Sequence, residues 1–250
     1  MFIDIIKAEF SEDRLTYQKG MTTFHPESAE ETARLFRLAN EYGQKFYIAG
    51  FGNNIEPAGK AFDDIIALRT DRLNEFIKIV PEDFYIVVGA GFPIGEINTK
   101  LKKYGLFLPH AELPYAGSVG GALAVGLSGQ INGHILPIGR YFIKAEITLP
   151  QGRIINPGSI CFKSVSGFDI VKIFSPSWGL LGMIAAATFR VLPISLFEEY
   201  KELKILPIDY RSFLSIYRES ADNISAQYSL KIKGKFDPEE ILPPVIIDFH

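Results

Sequence analysis

The segment of residues 164–184 reads SVSGFDIVKIFSPSWGLLGMI and has glycines at positions 167, 179 and 182. Core packing alone does not require this glycine spacing, whereas a ligand whose surface lies against the backbone does. Two earlier segments share the property: residues 50–54 read GFGNN and residues 117–121 read GSVGG. We therefore predict three backbone-lined loops that converge on one extended ligand.

The composition excludes several classes of protein. Of the 250 residues 47% are hydrophobic, which is enough for a sizeable core in one large domain or two close subdomains. The formal charge is −3, and no block of like charge follows the pattern of a nucleic-acid-binding surface. A nucleic-acid partner is therefore not expected, whereas a small anionic ligand is compatible with these totals.

Cysteine and histidine usage argues against a metal site. Cys161 is the single cysteine, so an internal disulfide and a cluster of thiolate ligands are excluded. The histidines His25, His110, His134 and His250 lack paired helical spacing, and ordinary core or surface roles are favoured for each. The N-terminus does not read as a signal peptide, and the apolar runs are shorter than the roughly 20 residues of a spanning helix. These features predict a cytoplasmic protein without a transmembrane segment.

The first part of the chain has the pattern of a small α/β layer. Residues 28–31 read SAEE, a capping box in which the Ser28 hydroxyl accepts from the Glu31 amide and the Glu31 carboxylate from the Ser28 amide. The helix is predicted to end at Tyr42, where Gly43 supplies a left-handed stop. Strands are predicted at residues 45–49 and 64–69, on both sides of residues 50–54. We call residues 50–54, 117–121 and 164–184 the first, second and third glycine clusters.

The second part predicts an antiparallel sheet with inserted helices. Its predicted elements are a strand at residues 85–88, a helix from Pro93 to Gly105, a hairpin of residues 141–149 and 153–155, a strand at 183–192 and a helix at 210–220. We divide the chain into residues 1–193, with subdomains of about 21–80 and 81–193, and a short C-terminal extension or truncated cap at 194–250.

Each glycine cluster also has an ordinary structural explanation. The amides of GFGNN can point into one concavity and bind phosphate, but a plain strand-to-loop turn fits the same residues. It is not a Rossmann fingerprint, since the third glycine and the following helix are missing. Residues 114–126 read PYAGSVGGALAVG, a run of small residues against which a flat ring system or a neighbouring helix can pack. It is not a serine hydrolase elbow, because Ala116 replaces the first glycine.

With the three loops in this order, residues 21–193 resemble the FAD-binding (PCMH-type) domain of the vanillyl-alcohol oxidase and p-cresol methylhydroxylase superfamily, most closely the glycolate oxidase FAD-binding subunit. The similarity rests on seven ordered blocks: FHP at 24–26, GFGNN at 50–54, VGAG at 88–91 before GLFLP at 105–109, SVGG at 118–121, GRY at 139–141, KSVSGFD at 163–169 and GLLGMI at 179–184. The resemblance implies an α+β fold of two subdomains, a small α/β unit and an antiparallel sheet with helices.

The resemblance also implies where FAD binds. The first cluster matches backbone amides that hold the pyrophosphate, the second matches contacts to the diphosphate and flavin, and the third matches a contact to the adenosine half. The implied cofactor-binding residues are Gly50, Phe51, Gly52, Asn53, Asn54, Ser118, Val119, Gly120, Gly121, Arg140, Gly182 and Ile184. Phe51 stands where the family usually has glycine, which narrows the phosphate loop. FAD is expected to be noncovalent, because the loops that tether it in some relatives lack histidine and cysteine here.

The chain also departs from the family in length, because single-chain oxidases carry a large C-terminal cap. The resemblance therefore implies an FAD-binding subunit of a glycolate- or lactate-type 2-hydroxy-acid oxidase or dehydrogenase complex. It would take part in electron transfer beside a second flavin subunit and an iron-sulfur subunit, in the cytoplasm or peripherally at a membrane through these partners. No catalytic residue is implied. Two alternatives stay open: a noncatalytic assembly subunit that has lost FAD, and another flavin reductase of this fold, such as the enolpyruvyl sugar nucleotide reductase.

Overall fold

The computed structural model describes residues 2–53, 64–160, 170–208 and 224–243. Asn54, Cys161, the block at 163–169 and the helix predicted at 210–220 lie outside these ranges. The strands are β1 Leu15–Gln18, β2 Met21–Phe24, β3 Phe46–Ala49, β4 Ile66–Arg69, β5 Lys78–Val80, β6 Tyr85–Gly89, β7 Leu106–Phe107, β8 Ser128–Ile131, β9 His134–Pro137, β10 Phe142–Thr148, β11 Ile154–Ile155, β12 Met183–Arg190, β13 Leu192–Pro193 and β14 Lys204–Ile205. The α-helices are α1 Phe2–Glu9, α2 Ala29–Tyr42, α3 Ile97–Leu101, α4 Val119–Ala124, α5 Phe197–Tyr200 and α6 Ile224–Phe236.

A four-stranded sheet of order β1-β2-β4-β3 forms the predicted small α/β layer. β1 pairs antiparallel with β2, and β4 pairs parallel with both β2 and β3. Helix α2 connects β2 to β3 and buries Leu35 and Phe36 against Phe24 and Phe46, which are all fully buried. The sheet thereby delivers the end of β3 directly into the first glycine cluster.

Helix α2 confirms the predicted cap and stop, with one correction. The Ser28 hydroxyl accepts from the Glu31 amide at 3.1 Å, and Gly43 has φ of 69°. The Glu31 carboxylate accepts from the Glu27 amide at 2.8 Å, so the predicted bond to the Ser28 amide is wrong. The carboxylate reaches past Ser28 because it also pairs with the Arg14 guanidinium, whose Nε lies 3.2 Å away.

The second sheet has the order β11-β10-β12-β6-β5 and is antiparallel throughout, as predicted. Its central strand β12 pairs Ala187 with Ala145 of β10 and with Val88 of β6. Helices α3 and α4 and the segments beside them cover one face and form the larger core. Two short sheets, β13-β7 and β14-β8-β9, complete the part of the fold that is described.

The predicted helix from Pro93 to Gly105 is interrupted. Pro93 precedes it in an extended conformation, because it bridges to Ser118 while the Ile94 amide donates to the Gly117 carbonyl at 3.2 Å. A 3₁₀ turn, the five residues of α3 and a second 3₁₀ turn follow, and Gly105 ends them with φ of 65°. The predicted core residues of this segment, Ile94, Ile97 and Leu101, are fully buried.

The C-terminal segment folds back on the first sheet. The Phe46 amide at the start of β3 donates to the Ile241 carbonyl at 2.7 Å, and Ile241 and Leu242 belong to the same core as Phe24. The division of the chain at residues 80 and 193 stays a prediction. Within the described ranges, no helix has both the length and the apolar character needed to span a bilayer.

Candidate cofactor site

Residues of the three predicted glycine clusters line one groove, which has two adjoining sections. Its larger section, here called the Phe51 section, has a volume of about 520 Å³ and is lined by Tyr47, Ile48, Ala49, Gly50, Phe51, Gly52, Asn53, Tyr115, Gly117, Ser118, Gly121, Ala124, Val125 and Trp178. The Gly182 section has about 370 Å³ and is lined by Ile48, Ala49, Gly50, Thr70, Gly120, Gly121, Ala124, Ser177, Gly179, Gly182 and Ile184. Five lining residues belong to both sections, so the two sections adjoin.

Gly50 is the point at which the first and second clusters touch. A Cβ atom placed on Gly50 would lie 2.5 Å from the Ser118 hydroxyl, closer than any van der Waals contact allows. Gly52 has φ of 65°, and a Cβ there would lie 2.3 Å from the Arg69 guanidinium. The glycines that let β3 approach α4 also line the groove. The two explanations of the cluster, tight packing and a bare groove wall, therefore both apply.

Two cations hold the turn of the first cluster. The Lys19 ammonium donates to the Gly52 carbonyl, and the Arg69 guanidinium covers Gly52 while it donates to the Gln18 side chain at 2.8 Å. Among the described residues, none accepts a hydrogen bond from the amides of Gly50, Phe51 and Gly52. Amide donors beside two positive charges are the chemistry that binds a diphosphate.

The second cluster forms the first turn of α4. The Ser118 hydroxyl caps the helix by accepting from the Gly121 amide at 3.1 Å. The amides of Val119 and Gly120 donate to the carbonyls of Phe92 and Ala90 at 2.9 and 2.7 Å. This cluster therefore presents small residues to the groove, and the amides of Val119, Gly120 and Gly121 are used within the protein.

The structure brings together nine of the twelve residues implied by the resemblance: Gly50, Phe51, Gly52, Asn53, Ser118, Gly120, Gly121, Gly182 and Ile184. Val119 points into the core and is fully buried. Arg140 is exposed and does not line the groove. Asn54 lies outside the described residues, and Phe51 is half-buried on the groove wall.

Sequence reasoning predicted Phe51 and Ser118 but missed the other aromatic and hydroxyl side chains of the groove. Tyr47, Tyr115 and Trp178 line the Phe51 section, and burial raises the pKa of the Tyr47 hydroxyl to about 12. Tyr115 lies two residues before Gly117 and its ring covers that glycine, and Trp178 directly precedes Gly179. Thr70 and Ser177 line the Gly182 section, and no local sequence pattern marks them.

His110 is a core residue away from the groove. It is fully buried, its Nε2 atom donates to the Leu136 carbonyl at 2.9 Å, and its ring packs edge-on against Tyr141. Burial lowers the pKa of His110 to about 4, so the imidazole is neutral near neutral pH.

Residues 22–158, more than half of the chain, match the sequence model of a family described as an FAD binding domain. The chain belongs to this family. FAD is its cofactor, and the resemblance to PCMH-type FAD-binding domains is confirmed.

Characterised relatives are longer than this chain. The D-lactate dehydrogenase of Archaeoglobus fulgidus is 25% identical over 185 residues, which cover 74% of this chain and 40% of that protein. The glycolate oxidase subunit GlcD of Bacillus subtilis is 25% identical over 169 residues, 67% of this chain and 36% of that protein. A solved structure of alkyldihydroxyacetonephosphate synthase has a TM-score of 0.62 at 22% identity and covers 77% of this chain and 40% of that one, which shows a shared fold.

The groove meets three requirements of an FAD site. It extends over two adjoining sections, as a dinucleotide needs. Donors and positive charge lie at the first cluster for a diphosphate. Thr70 lines the Gly182 section, and its buried hydroxyl lacks a hydrogen-bond partner in the described part of the chain.

Proposed function

We propose that this chain is the FAD-binding subunit of a 2-hydroxy-acid oxidoreductase of the D-lactate or glycolate type. One observation carries the proposal: three glycine clusters far apart in sequence line a single groove in a chain of the FAD-binding family. The relatives named D-lactate dehydrogenase and glycolate oxidase subunit support the substrate class.

In the proposed arrangement, the amides of Gly50, Phe51 and Gly52 hold the diphosphate, with Lys19 and Arg69 supplying positive charge behind them. The rings of Tyr47, Tyr115 and Trp178 form walls on which a flat ring system stacks favourably, so the Phe51 section would take the flavin side. The Gly182 section would take the adenosine half. Bound FAD supplies the redox chemistry, accepting two electrons from the hydroxy acid and passing them on.

The groove residues of this chain bind and orient the cofactor rather than activate the substrate. Among the described residues that line both sections there is no histidine, aspartate or glutamate to remove a proton from a hydroxy acid. We therefore propose that a second flavin subunit and an iron-sulfur subunit complete the enzyme. We further propose that it works in the cytoplasm, or at a membrane surface through these partners.

Noncovalent attachment of FAD is part of the proposal. The described residues lining the groove include no histidine or cysteine, the side chains that most often tether flavin. Protein purified from its native source should therefore release FAD on denaturation. With D-lactate or glycolate and an artificial electron acceptor, the isolated chain should bind FAD without turnover, and turnover should require the co-purified partners. Absence of FAD from the purified protein, together with no stabilisation by added FAD, would refute the proposal.

Phe51 favours a second candidate, a noncatalytic assembly subunit without FAD. Its ring lies on the wall of the Phe51 section, where it reduces the space beside the first cluster. If the wild-type protein does not bind FAD and the Phe51→Gly variant does, the assembly role is supported. Under the main proposal both proteins bind FAD, with affinities within about threefold of each other.

A further inference from the structure

Thr70 immediately follows β4, and its backbone is fixed on both sides. Its amide donates to the Ala49 carbonyl at 3.1 Å, and its carbonyl accepts from the Leu73 amide at 2.9 Å. The same carbonyl would lie 1.9 Å from a Cβ placed on Gly91, so the backbone at Gly91 packs directly against it. The residue is therefore held rigidly where β4 reaches the groove.

The side chain of Thr70 is buried without a partner. Only 3% of the residue is exposed, and within the described ranges no group forms a hydrogen bond with its Oγ1 atom. A buried hydroxyl without a partner destabilises a protein, and valine would fill the same space without this penalty. Such an atom in a native fold calls for an explanation, and an absent ligand is one.

The surroundings of Thr70 indicate which part of a ligand it would meet. In the Gly182 section it is joined by glycine, alanine and isoleucine residues, and Ser177 is the one other polar side chain among the described lining residues. The aromatic walls lie in the Phe51 section instead. A hydroxyl on an otherwise apolar wall suits a ligand with a few fixed polar atoms, such as a ribose or an adenine.

We propose that the Thr70 hydroxyl binds the adenosine diphosphate half of FAD and helps to select the dinucleotide over FMN. The inference rests on the proposed placement of FAD in this groove. Thr70→Val should weaken FAD binding roughly fivefold to tenfold, the effect of losing one hydrogen bond. The affinity for ADP, measured by competition with FAD, should fall by the same factor, and the affinity for FMN should not change.

Stability separates a binding role from a structural one. The cofactor-free Thr70→Val protein should melt at the wild-type temperature or above it, because the variant lacks the unpartnered hydroxyl. Thr32→Val is the matched control, since Thr32 is fully buried on α2 and its hydroxyl donates to the Ser28 carbonyl at 3.1 Å. This control should melt lower and keep its FAD affinity. Thr70→Ser retains the hydroxyl and should bind FAD within about twofold of wild type.

Three results would overturn the inference: unchanged FAD affinity in Thr70→Val, weaker FAD binding with unchanged ADP binding, or a lower melting temperature of the cofactor-free variant. Should Thr70→Val not fold, weak FAD binding by Thr70→Ser at wild-type stability would overturn it as well. Wild-type protein that binds no FAD would instead refute the proposed function, so the two failures are distinguishable.

Discussion

Lys233 of helix α6 donates a hydrogen bond to the Leu180 carbonyl at 2.9 Å, in the turn that leads to Gly182 of the groove. The ammonium is also paired with the fully buried Asp237, whose carboxylate accepts from the amides of Ile241 and Leu242 at 3.0 Å each. Burial lowers the pKa of Lys233, and the charge of Asp237 opposes this shift. The C-terminal segment is thereby tied to the wall of the candidate FAD site.

Lys233→Met should lower the free energy of unfolding by about 3–5 kcal/mol, because it leaves the Asp237 carboxylate buried without its counterion. Denaturant unfolding followed by circular dichroism measures this change. Lys231→Met is the matched control on the same helix, since Lys231 is exposed, and it should stay within about 0.5 kcal/mol of wild type. Equal stability of the two variants would show that the buried pair is not important for the fold.

His110 predicts a pH dependence of stability. Its pKa is about 4 in the folded protein, against 6.5 for an unperturbed histidine, so the folded state disfavours the protonated ring. The contribution of the neutral His110 ring to the free energy of unfolding is complete above about pH 6.5 and is lost as the pH falls toward 4. The reason is that the unfolded chain binds the proton at a higher pH than the folded chain. The pKa shift corresponds to a loss of roughly 3 kcal/mol in the free energy of unfolding between these two pH values.

His110→Gln should therefore lose less stability than wild type when the pH falls from about 7 to 4.5, because glutamine does not titrate. Urea unfolding of both proteins at several pH values measures the difference in slope. The other acidic groups and His25 are common to both proteins and cancel in the comparison. Parallel pH profiles would contradict the burial-driven pKa.

Arg69 should matter for FAD because it covers Gly52 and places positive charge behind the first cluster. Arg69→Met is expected to weaken FAD binding roughly tenfold at low ionic strength and less at high salt, where screening reduces the wild-type advantage. Riboflavin, which lacks phosphate, should bind both proteins equally. The control is Arg72→Met, since Arg72 pairs with Asp13 and Glu27 away from the groove. Equal losses in the two variants would exclude a specific role for Arg69.

Local sequence signals predicted the elements well where the deciding contacts are short in range. Ser28 and Gly43 begin and end α2 through bonds to residues three or four positions away, and both were evident from the sequence. The same holds for the antiparallel hairpin of β10 and β11. The helix after Pro93 was predicted less well, because its start depends on Gly117 and Ser118, more than twenty residues later.

The residues of the candidate site show the same difference between short-range and long-range signals. The glycine clusters could be recognised because bare backbone leaves a composition signal, and residues of all three line the groove. Thr70 and Lys233 could not be recognised. The significance of the Thr70 hydroxyl depends on burial without a partner, and that of Lys233 on a carbonyl 53 residues away. Both are tertiary facts that leave no local pattern.

FAD is expected to occupy the groove at the contact between Gly50 and Ser118. Gly50→Ala would place a methyl group against the Ser118 hydroxyl, which would have to turn away and lose its capping bond from the Gly121 amide, at a cost of about 0.5–2 kcal/mol in stability. Gly95→Ala is the control, because a Cβ there meets nothing within 4 Å.

The most direct measurement is a calorimetric titration of FAD into the wild-type, Gly95→Ala and Gly50→Ala proteins, each shown to be folded by circular dichroism at the titration temperature. We predict saturable binding of one FAD per chain to the wild-type and Gly95→Ala proteins and at least tenfold weaker binding to Gly50→Ala. No binding to the wild type, or equal binding to folded Gly50→Ala, would contradict the account.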